Sequence, residues 1–131
     1  METISQYVTE VLILLFILIV FLQSGIDKLV DWNGNTSWLK EHFASTFLSG
    51  SVPFVVGIVM VLEILTGIAA MVSVLWIIAY GANELGLLTC SLASLTLLML
   101  LFGQRIAKDY AGAFTLTGYF IITIFGVYIM S

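Results

Sequence analysis

One cysteine, one proline and one histidine stand among 131 residues, with four basic residues against eight acidic ones and 9% charged residues in all. Each scarcity excludes a class of function. A lone Cys90 forms neither an internal disulfide nor a C-x-x-C redox pair. A lone His42 supplies no bis-histidine haem and no histidine-based metal site within the chain. With a net charge of −4, the chain has no Lys/Arg-rich patch for nucleic acid, and no glycine loop of the phosphate-cradling kind occurs. The charged fraction is far below the rough quarter typical of soluble domains. What the chain has instead is apolar length: 61% of its residues are hydrophobic and its mean hydropathy is +1.16.

That length divides into four spans. Hydrocarbon about 30 Å thick takes roughly 20 helical residues, so four crossings use nearly the whole chain and leave no room for a soluble catalytic domain. The expected fold is an all-α membrane protein of one domain, residues 1–131. Its four transmembrane helices, at about 7–29, 53–78, 85–103 and 111–130, form one bundle. METISQYVTE lacks the basic start of a secretory signal and no cleavage pattern follows, so the first run is read as a retained span. Between spans one and two, Asn33, Gly34 and Asn35 read as a turn and Thr36 or Ser37 as a helix cap. Leu39, Phe43 and Phe47 then fall at i, i+4 and i+8 with Lys40 and Glu41 off the stripe. The spacing predicts a short interfacial helix over about 37–47. Pro53 suits the first turn of the second span. GANELG, residues 81–86, supplies the next turn, and GQRIAKDY, residues 103–110, the third connection.

All four basic residues, Lys28, Lys40, Arg105 and Lys108, lie on one side of this layout. The positive-inside bias makes that side cytoplasmic and places both termini outside. Trp32, Trp38 and Tyr110 near one boundary and Tyr7, Tyr80 and Tyr128 near the other fit the aromatic belts of such spans.

Glu63 is the only charged residue in an apolar run of residues 52–82. A charge at the centre of a spanning helix costs on the order of 2.5–3.5 kcal/mol on insertion scales, so it faces the bundle interior and needs a partner. Thr66, Gly67 and Ala70 share its face, a stripe of small residues suited to close helix packing. Glu63 lies roughly 15 Å from the basic boundary at 1.5 Å per residue, within reach of long side chains descending from it. Lys28 and Arg105 are the candidate partners. Gln23 and Asp27 are four apart on the first helix, as are Ser24 and Lys28, and Arg105 and Asp109 can pair at the same spacing. Two readings stand: an ion-pair network that fixes helix register, or a headgroup, quinone or proton site. Elsewhere, Ala82, Gly86, Cys90 and Ser94 form a small-residue stripe on the third span, which makes Cys90 a packing residue. His42 reads as a solvated interface residue.

The chain resembles the DoxX family of small four-helix bacterial membrane proteins. FLQSGIDKLVDW, residues 21–32, resembles the family's G-x-x-K ending of the first span. LEILTGIAAM, residues 62–71, resembles its Glu followed by a Gly-containing second span, and GQRIAKDYAGAF, residues 103–114, its third connection. The Arg that many members carry near the start of the first span is missing here. The resemblance implies a bacterial inner-membrane protein, in some members a subunit of a thiosulfate:quinone oxidoreductase and in others part of complexes that handle oxidative stress. No intrinsic cofactor is expected, since the chain has no iron–sulfur or dinucleotide motif; a quinone or a bound lipid is the ligand to look for. The leading expectation is an accessory subunit of a larger membrane complex. Its partners would be membrane lipids and other subunits or a second copy, and its pocket would be made by Gln23, Asp27, Lys28, Glu63 and Arg105. The alternatives are a quinone-linked oxidoreductase component, with Glu63 as proton relay, and a small lipid or solute transporter. No Gly/Pro-broken pair of half-helices marks a transport site.

Overall fold

The structure, a computed structural model, describes residues 5–131. Among the described residues, five helices of defined bounds follow one another: α1 Val8–Val30, α2 Trp32–His42, α3 Val52–Tyr80, α4 Glu84–Ile106 and α5 Tyr110–Met130. No strand occurs among the described residues. All but α2 are long and apolar enough to cross a membrane, and they pack into one bundle, as expected of a multi-pass membrane protein.

Small residues set how closely these helices approach. In hydrocarbon there is little hydrophobic gain from pairing two apolar helices, so close van der Waals contact carries more of the association. α1 lies along α3. A Cβ on Gly67 would stand 2.9 Å from Leu22 Cβ and 3.1 Å from the Leu22 backbone, and one on Gly25 would stand 2.6 Å from Ile64 Cγ1. α4 meets α5 in the same way, with the Cys90 sulfur where a Gly126 side chain would begin, 2.6 Å from that Cβ position. Cys90 is fully buried, which bears out the packing role read from its stripe. Around these contacts Leu14, Ile17, Phe21, Ile77 and Leu97 form the core. Buried hydroxyls bond to their own helix: Thr66 Oγ1 donates to the Leu62 carbonyl at 2.7 Å and Ser94 Oγ to the Cys90 carbonyl at 2.8 Å. The hydroxyls of Ser73 and Thr89, 2.8 Å apart, tie α3 to α4, and those of Ser94 and Thr123, 3.0 Å apart, tie α4 to α5.

The helix ends follow local chemistry. Pro53 occupies the first turn of α3, where its missing N–H costs nothing, and Gly81 ends α3 with φ 63°, a left-handed conformation that glycine adopts without strain. Asp109 caps α5 by accepting from Gly112 N at 2.9 Å.

The short helix between the first two spans is present but displaced. It runs over Trp32–His42 rather than 37–47, and the Asn33–Asn35 segment read as a turn lies inside it. Asp31 is the cap, its Oδ1 accepting from Gly34 N at 3.3 Å, while Asn35 Nδ2 donates to the Asp31 carbonyl at 2.9 Å. Thr36, expected as a cap, is mid-helix and donates to the Trp32 carbonyl at 2.8 Å. A single residue, Asp31, thus separates α1 from α2, and the chain turns there. Beyond His42 the backbone forms turns over 43–50. In them Thr46 Oγ1 donates to the Phe43 carbonyl and accepts from Leu48 N.

Candidate functional site

Gly25 fixes where the first helix presents its polar residues. Because Gly25 abuts Ile64 on α3, the residues one helical turn around it, Ser24 and Lys28, are carried beside Glu63. Lys28 Nζ lies 2.8 Å from Glu63 Oε1 and donates to Ser24 Oγ at 2.8 Å. The Glu63 side chain is 3% exposed and that of Lys28 17%, so the pair is largely withdrawn from the surface. The buried Oε1 has no partner other than this ammonium among the described residues. The stripe read from sequence is inward as expected: Glu63, Thr66, Gly67 and Ala70 are all buried.

The ion pair borders a cavity of about 750 Å³. Ser73 and Thr89 hold α3 and α4 together near their shared turn. Ten residues further along each antiparallel helix, Glu63 and Met99 both line the cavity. Its walls are apolar, with Val52, Val56 and Val59 from α3 and Leu95, Leu98 and Phe102 from α4. Trp38 and Phe43 complete it from α2 and the residue after it. Polar groups touch the space in two places: Ser24, Lys28 and Glu63 deep in the bundle, and Asn35 and Gln104 near the helix ends. At 1.5 Å per residue, Gln104 stands roughly 7–8 Å along α4 from the level of Met99. The volume falls within the roughly 300–1,000 Å³ of small-molecule sites, and apolar walls with a few placed polar groups are their usual makeup.

α2 is fastened over this space. His42 Nε2 lies 3.0 Å from Gln104 Oε1 and 3.6 Å from Asp109 Oδ2. Its ring stacks on Trp38 with centroids 4.7 Å apart and meets Phe43 edge-on at 5.1 Å. His42 is therefore a packed joint between α2 and the α4–α5 connection, not the solvated residue expected. A lone histidine on a short amphipathic segment gives no sign of a partner 62 positions away.

Of the five residues expected to share a pocket, Lys28 and Glu63 come together. Gln23 and Asp27 are exposed on α1 and do not line the cavity. Arg105 is exposed as well and lies over the Tyr110 ring, 5.1 Å from its centroid. Asp109, its expected partner, instead caps α5 and faces His42. The cavity adds residues that sequence reasoning passed over, chiefly Trp38, Met99 and Gln104. Gln104 carried a signal, being an uncharged amide at the end of an apolar span. Met99 carried none. No protein-family model, curated protein or solved structure matches the chain.

Proposed function

We propose that the chain is a non-catalytic, accessory subunit of a larger bacterial inner-membrane complex that holds one amphiphilic molecule, a lipid or a quinone, in the cavity beside Lys28 and Glu63. The observation that carries this reading is the ion pair itself, which borders an apolar space of about 750 Å³. A purely structural pair would be expected to be closed over by packing, because exposing it to hydrocarbon costs free energy. The resemblance to the DoxX family at residues 21–32, 62–71 and 103–114 supports the membrane and the accessory role. In this reading the α2 side faces the cytoplasm and both termini the periplasm, following the distribution of basic residues.

Native purification followed by mass spectrometry of extracted lipids and quinones tests the cavity. The wild-type chain should retain one amphiphile and co-purify with other membrane subunits. Leu98→Trp, which fills the cavity from a partly exposed wall position, should lose the amphiphile while keeping the subunits. A wild type without any bound amphiphile, or a Leu98→Trp variant that holds it equally well, overturns the reading.

A second reading, a quinone-linked oxidoreductase component, is favoured by one observation: the Glu63 carboxyl borders the same space as the Lys28 ammonium. Here Lys28 would orient an acceptor oxygen and Glu63 would carry a proton. Glu63→Gln in an assembled complex should then abolish quinone turnover, and unaltered turnover eliminates this reading.

A further inference from the structure

The hydrogen-bonding capacity left over at the ion pair says what kind of head the cavity accepts. An ammonium has three N–H donors and a carboxylate about four acceptor positions. Lys28 directs one donor to Ser24 and one toward Glu63, which leaves a third. Glu63 Oε1 is buried against the ammonium, and Oε2 has no hydrogen-bond partner among the described residues. The site thus offers one spare donor next to spare acceptor positions, with no net charge between them.

An anionic head drawn to Lys28 would stand beside the Glu63 carboxylate. A cationic head drawn to Glu63 would stand beside Lys28. At low dielectric either like-charge contact is costly, and the charged head would also have to leave water. An oxidised quinone carries acceptors alone and satisfies only Lys28. A hydroxyl does both jobs at once, accepting from Lys28 and donating to Glu63.

α3 and α4 also offer the tail an apolar surface. Further along the same α3–α4 seam lies a groove of about 220 Å³ lined by Leu65, Ile68, Val72, Leu85 and Leu88, at the Ser73–Thr89 contact. At about 220 Å³ the groove takes part of one chain and not two. We infer that the cavity takes an uncharged, hydroxyl-bearing lipid with a single tail, of the monoacylglycerol class, its hydroxyl between Lys28 and Glu63 and its tail along the α3–α4 seam. This inference rests on the reading that the cavity holds an amphiphile.

Three photoactivatable probes with the same tail test it on the full chain in phosphatidylcholine nanodiscs: a monoacylglycerol, an alkyl sulfonate and a long-chain amine. The medium is held at about pH 7.5, where the amine is charged. Labelled peptides are mapped by mass spectrometry. Saturable labelling within residues 52–63 and 95–103 by the monoacylglycerol probe is expected, with about tenfold weaker apparent affinity for the two charged probes, a gap of about 1.4 kcal/mol. Glu63→Gln, which leaves Lys28 unbalanced, should shift the preference toward the sulfonate. Should that variant fail to accumulate, the ranking of the three probes on the wild-type chain decides alone. Preference for a charged probe, or equal labelling by all three, overturns the inference and leaves the amphiphile-holding role standing. No saturable labelling by any of the three overturns both.

Discussion

At the scale of single residues, Lys28 and Glu63 illustrate how a pair can be indispensable as two halves and dispensable as a whole. Withdrawing either charge from water is costly, and their attraction returns that cost only while both are present. Lys28→Met or Glu63→Leu alone should therefore lower stability by about 3–5 kcal/mol, whereas the double variant, with two apolar side chains filling the same space, should lie close to wild type. Chemical unfolding of the four proteins in detergent gives the coupling. Additive losses would show that the two groups do not act as a pair. The pair was legible in the sequence because an ionisable group in a long apolar run is conspicuous and its need for a counter-charge narrows the field to a few residues. Which of those residues answers was not legible. Gln23 and Asp27 share one stripe of α1, and Ser24 and Lys28 the next, and helical periodicity treats both alike. The contact of Gly25 with Ile64 decides between them by turning the second stripe inward. Arg105 had the right charge on the right side of the membrane, but it lies over Tyr110 instead.

At the scale of helices, the same glycines set the geometry on which the site depends. Gly67 sits directly against the Leu22 backbone, so α1 and α3 have no slack at that level. Gly67→Ala places a methyl group where the nearest atoms are 2.9–3.1 Å away, two of the three belonging to main chain. The two helices must separate by a few tenths of an ångström. The expected cost is about 1–3 kcal/mol, as for other overpacked sites, with Lys28 drawn away from Glu63 as α1 shifts. Gly118, whose added Cβ would meet nothing within 4 Å, is the control, and its alanine variant should be as stable as wild type or better. Equal losses at both positions in thermal unfolding would mean that intrinsic helix preference, not close approach, governs. Four of the five helices were legible from hydrophobic length and turn residues. α2 was only half legible, because the stripe of Leu39, Phe43 and Phe47 continues past the point where the helix ends. Leu39 and Phe43 do border the cavity, while Phe47 is 75% exposed in the turns. The end is set by Thr46 and its bonds to Phe43 and Leu48, and the start by Asp31, none of which alters the apolar spacing.

At the scale of the whole molecule, the structure removes one of the four residues on which the orientation was read. Lys28 is paired with Glu63 inside the bundle, so it contributes little as a loop charge. Lys40, Arg105 and Lys108 remain, all exposed, and all belong to the same side of a four-span layout. The opposite side offers no basic residue to oppose them, so the positive-inside bias still points one way. Single cysteines in a Cys90→Ala background test this in intact cells. Ser131→Cys should react with a membrane-impermeant maleimide from outside, whereas Ser49→Cys should react only after permeabilisation, and the reverse pattern would invert the protein. The outcome also fixes the approach to the site. α2, with His42 joined to Gln104 and Asp109, covers the cavity at the end of the bundle that holds these basic residues. With that end cytoplasmic, an amphiphile held as proposed would reach Lys28 and Glu63 from the inner leaflet, passing the joint between α2 and α4. Its tail would then lie toward the Ser73–Thr89 contact, deeper in the hydrocarbon. Inverted, the same cavity would draw from the opposite leaflet, and a partner that delivered or received the molecule would have to dock on the other face of the membrane.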